Sequence, residues 1–374
     1  MRRSRKDAPE KLLDQLGILT YNKWPHEIYD KYRDTIDQLD PHKPREQTDE
    51  RTYTAYQAFK EALISYYTGI AINVIHEKVE GEICYLDATA GIGILPLHVN
   101  NKPYPIFGSA IIPLITPTIG EIKFRRKPKP FKYVILAEKT RARRALLRKV
   151  VQEVEQKLKE LRLPTPERDF YYDDINTERD AITRLLAGQC RYVLAVVDPT
   201  GAEIKWDTMK ALLELRQQDV IVDVMFNFMC AALRRQRKKA CEETSSHAFD
   251  EFFGGNHWKQ CCPKRRETTR DDVAQKEDEK FGECLHNTYI QNITNAGYVV
   301  HSTEIWKNKK TKLWHYHFDL ILKERDTPHP WVQSYKELSS WVSKIDETAL
   351  VNIITNRLIT EFTTSKTRPL TDFM

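Results

Sequence analysis

Five short segments of this chain place polar groups directly at the end of an apolar run. In Cys84-Tyr85-Leu86-Asp87-Ala88-Thr89-Ala90-Gly91-Ile92-Gly93 an acid closes a strand-like stretch and a Gly-x-Gly loop follows. Glycines lacking a Cβ let the backbone pass close to a ligand, and the acid can accept a hydrogen bond from a bound cofactor or order the loop beneath it. Tyr133-Val134-Ile135-Leu136-Ala137-Glu138 supplies a second strand-end acid, where a carboxylate can hold ribose hydroxyls. Tyr171-Tyr172-Asp173-Asp174-Ile175-Asn176 supplies a third, with Asp174 chosen over Asp173 for an adenine amino group. Val196-Val197-Asp198-Pro199-Thr200-Gly201 ends in an acid and a rigid proline, and Phe226-Asn227-Phe228 sets an amide between aromatics. Each segment also has a plainer reading. A carboxylate behind a strand can cap a helix, Asp-Pro-x-Gly can be a turn, and the phenylalanines can be core. The order of three strand-end acids along one chain is what favours a nucleotide-type cleft, with Asp87, Ala88, Gly91, Gly93, Glu138 and Asp174 binding the cofactor and Asp198, Pro199 and Asn227 at the acceptor.

Such a cleft needs parallel strands. Apolar runs at Tyr133 to Ala137, Phe170 to Tyr172, Tyr192 to Val197 and Val220 to Phe226 follow the first one, and helical patterns over 140–161, 178–187, 205–216 and 228–238 separate or follow them. Near-continuous hydrophobicity implies strands covered on both faces, and alternation with helices implies right-handed parallel crossovers. Two alternating runs, Tyr298 to Trp306 and Leu313 to Lys323, flank a polar hairpin turn and follow a helix near Glu283 to Ala296. The expectation is an α/β, Rossmann-like fold: a seven-stranded mixed sheet with helices on both faces. An amphipathic helix over 52–78, with Tyr56, Phe59, Leu63, Tyr67, Ile70 and Val74 at three- and four-residue steps, leads into the first strand. The gap of 45 residues between Gly93 and Glu138 exceeds the usual spacing of about 20. A proline-bearing basic insert at 100–132 accounts for it.

The expected organisation is an N-terminal extension over 1–50, a cofactor-binding domain over 51–326 and a C-terminal helical segment over 327–374. Within the domain, 255–280 reads as a charged linker, because Lys-Arg-Arg and Arg-Asp-Asp runs leave hardly an aliphatic residue to bury. Net charge is +6, from 59 Lys and Arg against 53 Asp and Glu, which permits a nucleic-acid partner without arguing for one. Basic clusters at Arg141, Arg143, Arg144, Arg148 and Lys149, at Arg234, Arg235, Arg237, Lys238 and Lys239, and at Lys264, Arg265 and Arg266 read either as solvated faces or as a phosphate-tracking surface. The odd number of cysteines, seven, scattered through a long chain, suits reduced thiols and a cytoplasmic protein. His257, Cys261, Cys262, Cys284 and His286 lack a Cys-x-x-Cys spacing, so no metal is expected. The apolar stretches, such as Ala62 to Ile75, stop well short of the ~18 residues that a membrane span needs, so no membrane is expected.

Over residues 55 to about 325 the chain resembles the three-Cys-motif partner proteins, a family of class I S-adenosylmethionine (SAM)-dependent methyltransferase-like proteins. The likeness rests on Tyr85-Leu86-Asp87-x-x-Ala90-Gly91-x-Gly93, Gly108-Ser109, Glu138, Asp174-x-Asn176, Asp198-Pro199-x-Gly201, Asn227-Phe228, Phe253-Gly254 with Trp258, and Ala296-Gly297-Tyr298. Thr89 and Ala110 stand where the family usually shows Phe and Pro. The resemblance implies SAM as cofactor and a three-Cys-motif protein as partner. In methyltransferases that modify exocyclic amines, an Asp-Pro-Pro-aromatic motif sits where this chain has Asp198-Pro199-Thr200-Gly201, so the stacking aromatic is missing. Three functions stay open: direct methylation of a base in RNA or DNA, a non-catalytic or assisting partner role, and methylation of a small molecule or protein.

Overall fold

The computed structural model describes residues 8–39, 50–100, 102–242, 247–263, 271–307, 314–323, 330–344 and 347–363. The chain divides into two compact units, 1–174 with 345–374 and 175–344. Its main sheet is mixed and seven-stranded, with the order β5-β4-β1-β6-β7-β9-β8, and a separate two-stranded sheet pairs β2 with β3.

In the first unit β1 (Ile83–Asp87), β4 (Tyr133–Ala137) and β5 (Arg168–Tyr172) are parallel, with β4 in the middle. Every residue of β1 is buried, as a parallel strand covered on both faces requires. The helix Glu50–Lys78 is not amphipathic as its spacing suggests: residues 55–68 are buried on every side, including Lys60 and Glu61, whose charged groups lie 3.7 Å apart. Three helices explain this, because Ala8–Leu19 and Glu347–Thr363 both pack on Glu50–Lys78. Part of the N-terminal extension therefore belongs to the core: Leu12, Leu16 and Leu19 are fully buried, and Ser65 Oγ donates to Gln15 Oε1 at 2.8 Å. Burying one such leucine is worth about 1.5–3 kcal/mol. Residues Trp24–Leu39 form a further helix, tied to Arg141–Glu160 by Lys31–Glu153 and Lys157–Glu27 ion pairs.

A hairpin that sequence patterning missed leads into the basic insert, with its first strand before residue 100 and its second inside the insert. Its strands β2 (Ile94–Val99) and β3 (Lys102–Phe107) are antiparallel, with Pro96 opposite Pro105. Proline cannot donate to a ladder, yet a two-stranded sheet leaves one edge of each strand without a neighbour, and proline fits there. A short helix at Ile112–Ile115 and a π-helical turn at Thr116–Gly120 complete the buried part of the insert.

In the second unit β6 (Tyr192–Val197) and β7 (Ile221–Phe228) are parallel, while β9 (Trp314–Lys323) runs antiparallel to both β7 and β8 (Tyr298–Lys307). Residues read as a charged linker are partly helical instead: His257–Cys261 forms a 3-10 turn, and a helix spans Asp271–Asn295. Phe281, Leu285, Tyr289 and Ile293, four residues apart, bury one stripe of that helix and hold it, so its polar first half extends an anchored second half. Tyr289 stacks on Phe226 at 5.0 Å and on Phe252 of the His247–Phe253 helix at 4.8 Å. The helix Pro330–Lys344 covers β8. The cysteines are not all reduced: Cys241 is bonded to Cys262 and Cys261 to Cys284, so two adjacent cysteines tie one turn to two helices, while Cys230 is a buried free thiol. The residues Lys264, Arg265 and Arg266, the turn at 308–313 and the tail at 364–374 lie outside the described residues.

Candidate functional site

The carboxyl ends of β1, β4 and β5 lie side by side, because Asp87 is in register with Leu136 and Ala137 with Tyr172. Neighbouring strands are ~4.8 Å apart, so Asp87 and Glu138, one strand apart, share one rim with Asp173 and Asp174. Asp87 is fully buried, and its Oδ1 accepts the Thr89 N–H at 3.0 Å, which ties the strand-end acid to its own loop. Ala88 is buried beside it. The loop is fixed at both ends: Ala90 N–H donates to the Ala137 carbonyl at 2.9 Å, and Gly108 N–H to the Gly93 carbonyl at 3.0 Å.

The two glycines differ. Both have positive φ, +62° at Gly91 and +78° at Gly93. A Cβ at Gly91 would meet nothing within 4 Å, whereas one at Gly93 would sit 3.1 Å from Ile111 and Leu147. Gly93 is thus a packing glycine, and Gly91 leaves a bare backbone with room for a ligand.

Glu138 is 6 % exposed. Its Oε1 accepts the Thr140 N–H at 2.7 Å at the start of the helix Arg141–Glu160, and its Oε2 has no partner among the described residues. Arg144 donates to the Glu138 carbonyl at 2.6 Å and forms an ion pair with exposed Asp173. That pair occupies Asp173, and Asp174 beside it is half-buried. The first basic cluster is mostly engaged within its own unit: besides Arg144, Arg143 donates to the Leu39 carbonyl at 3.2 Å and Arg148 lies over the Tyr171 ring at 5.0 Å.

In the second unit Asp198 and Pro199 follow β6, and Asn227 lies one residue from the end of β7. Asn227 Nδ2 donates to Asp198 Oδ1 at 2.5 Å, and also contacts Met229 Sδ at 3.2 Å. A carboxylate accepts only, so the amide nitrogen must face Asp198. The amide oxygen, on a side chain only 2 % exposed, is left buried without a hydrogen-bond partner. Such an atom costs about 1–3 kcal/mol unless something donates to it.

The Asp198-Pro199-Thr200-Gly201 loop is held by two residues that sequence reasoning left without this role. Thr200 Oγ1 donates to Glu203 Oε1 at 2.5 Å. Asn176 Nδ2 donates to the Glu203 carbonyl, while Asn176 Oδ1 accepts from Lys205 N–H and Thr208 Oγ1, each at 2.9 Å. The Thr200-x-x-Glu203 spacing, that of a capping box, was the available signal.

A second cluster was not anticipated. His286, on the helix Asp271–Asn295, meets Asp319 of β9 at 2.9 Å, and the Ser302 hydroxyl donates to the other Asp319 oxygen at 2.5 Å. His317 stacks on His286 with ring centroids 3.7 Å apart. Burial opposes the charged form of Asp319, but the facing His286 and the Ser302 hydroxyl hold its carboxyl below the usual range. Burial, then the neighbouring His286, pushes His317 down to about 3. These four groups occupy the sheet face of Phe226 and Phe228, since side chains alternate and Asn227 belongs to the opposite face. The sulfurs and imidazoles weighed as metal ligands are otherwise occupied: Cys261, Cys262 and Cys284 in disulfides, His257 with Asn292 and His286 with Asp319. Among the described residues no helix is long and apolar enough to cross a membrane.

No protein-family description and no curated protein matches the chain. Among solved structures, protein LPL1258 from Legionella pneumophila, of the DUF519 family, is 11% identical with a TM-score of 0.39, over 76% of this chain and 91% of that one. The methyltransferase domain of bacterial CtHen1-C is 12% identical with a TM-score of 0.28, over 70% of this chain and 100% of that one. Trm1 from Pyrococcus horikoshii, solved with S-adenosyl-L-methionine, is 11% identical with a TM-score of 0.30, over 75% of this chain and 58% of that one.

Proposed function

We propose that this chain is a SAM-dependent methyltransferase that methylates an exocyclic amine of a nucleic acid base by direct transfer. The observation that carries the reading is the buried, unpartnered Asn227 Oδ1 on an amide bonded to Asp198. An amine with two N–H groups satisfies both residues at once: one N–H donates to Asn227 Oδ1 and the other to the Asp198 carboxylate. Holding both hydrogens in place aims the nitrogen lone pair, and positioning of this kind is the main source of acceleration in such a reaction.

The residues at the carboxyl ends of β1, β4 and β5 fit the cofactor. Gly91 offers open space beside bare backbone, and Glu138 Oε2 has an unused acceptor position for a ribose hydroxyl. Asp87 orders the loop and Asp174 follows the third strand, where an adenine amino group would be met. Bound SAM would supply an electrophilic methyl on a sulfonium. As the methyl leaves sulfur, S-adenosylhomocysteine would be released and the nitrogen would carry one proton too many, which the Asp198 carboxylate would accept. Exposed Arg235, Lys238 and Lys239, shortly after Asn227 in the chain, support a phosphate-bearing substrate.

The test is calorimetric titration with SAM and S-adenosylhomocysteine, followed by transfer of labelled methyl to RNA and DNA. Micromolar binding, and transfer abolished by Asp198→Asn, support the reading. Absence of binding overturns it.

A second reading has its own observation. Thr200 folds back on Glu203, and no aromatic side chain follows Pro199 to stack a base. An assisting partner of a three-Cys-motif protein, binding SAM without turning it over, would need no such platform. Cofactor affinity with no transfer to any acceptor, restored only by a three-Cys-motif partner, would favour that role.

A further inference from the structure

The second unit contains a cavity of about 780 Å³ whose lining includes none of the residues assigned to the cofactor or to methyl transfer. It is lined by Trp206 and Lys210 of the helix Trp206–Glu214, by Arg216 just after it, by His257, and by Asn292 and Asn295 near the end of the long helix. Its volume is within the ~300–1,000 Å³ typical of small-molecule sites.

The walls are set in advance. The half-buried Trp206 ring meets Tyr289 edge-on at 5.7 Å, with an interplanar angle of 89°. Gly254 also packs against its pyrrole edge, where a Cβ would come within 2.3 Å of the indole Cδ1. The rim is pinned too: Asn292 Nδ2 donates to the Phe253 carbonyl at 2.9 Å and lies 3.2 Å from His257 Nε2. That contact makes Nε2 the acceptor and leaves the ring proton on Nδ1.

The cavity has more donors than acceptors. Its single carboxylate, Glu214, faces Lys210 at 3.8 Å. Arg216 has no carboxylate partner and the Trp206 indole N–H no acceptor among the described residues. Asn295 Oδ1 already accepts from Gln291, which leaves its Nδ2 hydrogens to offer. A preformed aromatic wall beside an unneutralised guanidinium and amide donors suits a planar ring carrying an anion.

We propose that this cavity binds a nucleoside monophosphate, with the phosphate on Arg216 and Lys210 and the base against Trp206. The site is separate from the residues assigned to methyl transfer and does not depend on that assignment. The amides of Asn292 and Asn295 then meet the edges of the base or ribose.

The experiment is calorimetric titration of the full chain with AMP, adenosine and inorganic phosphate, in the wild type, Arg216→Gln, Trp206→Leu and Glu138→Ala. Arg216 is exposed, so Arg216→Gln should melt as the wild type does, and circular dichroism checks this for every variant. The expected result is AMP binding at least tenfold tighter than either adenosine or phosphate, weakened tenfold or more by Arg216→Gln and by Trp206→Leu, and unchanged by Glu138→Ala. Three results overturn the proposal: no AMP binding, inorganic phosphate binding as tightly as AMP, or AMP binding lost in Glu138→Ala but kept in Arg216→Gln. The last would place the nucleotide on the glycine-loop rim instead.

Discussion

Acidification from pH 8 to pH 5 is expected to cost the fold about 2 kcal/mol through His317 alone. The ring is buried against His286, with Asp319 on its own strand and Arg234 also acting on it, and its proton affinity is pushed down to about 3. In the unfolded chain the same ring takes a proton near pH 6.5. Because the folded value is the lower one, the unfolded state holds the extra proton between those limits. The stabilisation is complete above pH 6.5 and drains away as the pH falls towards 3. At pH 5 the medium is 1.5 units below the unfolded value, and each unit is worth about 1.4 kcal/mol, which gives about 2 kcal/mol. Urea unfolding at pH 8 and pH 5, in the wild type and in His317→Phe, reads this directly. Phenylalanine retains the stacked ring without the titration, so the variant should lose about 2 kcal/mol less than the wild type over that interval. Equal pH dependence in the two proteins would refute the argument, whatever the variant's stability at pH 8.

Other perturbations separate packing from binding. An Asp87→Ala, Glu138→Ala double variant should lose SAM binding by calorimetry, and undiminished affinity would remove both acids from the cofactor site. Gly91→Ala should cost the fold only the ~1–2 kcal/mol of a left-handed residue, because its Cβ meets open space, while Gly93→Ala should cost more by crowding Ile111 and Leu147; urea melts give the ranking. Gly254→Ala combines a φ of +69° with a 2.3 Å approach to Trp206, and should destabilise by about 2–4 kcal/mol in the same assay. Reductant should lower the urea midpoint, since opening either loop of about twenty residues forfeits ~3 kcal/mol; an unchanged midpoint would show that the cysteines were reduced at the outset.

The parallel strands were legible because burial on both faces leaves an uninterrupted apolar signature: Tyr133–Ala137 and Tyr192–Val197 begin and end where the residues alone put them. The strand-end positions of Asp87 and Glu138 were legible because an acid after such a run stands out. The hairpin β2–β3 was not, because Pro96, Pro103 and Pro105 look like breakers until it is known that the two strands pair only with each other among the described residues. Residues 271–280 carry helix formers in Ala274, Gln275, Lys276 and Glu277 behind Asp271 and Asp272 but no apolar stripe, and the buried stripe from Phe281 to Ile293 is what anchors them as helix. His286 and Asp319 are 33 residues apart and meet only when a helix is laid on β9, a contact that no local spacing encodes. The cysteines misled for a related reason: scatter in sequence says little about which sulfurs become neighbours in space.

The closure of the hairpin at Gly93 and Gly108 bears on how this family of shapes can vary over evolutionary time. The bond from Gly108 N–H to the Gly93 carbonyl joins the two legs where they leave the glycine loop. Insertions or deletions beyond Val99 and before Lys102 would be absorbed at the far end, with the junction and the loop left in place. Related chains should therefore differ in length at that tip and keep small residues at 93 and 108, so an alignment gap there would mark tolerance rather than a change of function.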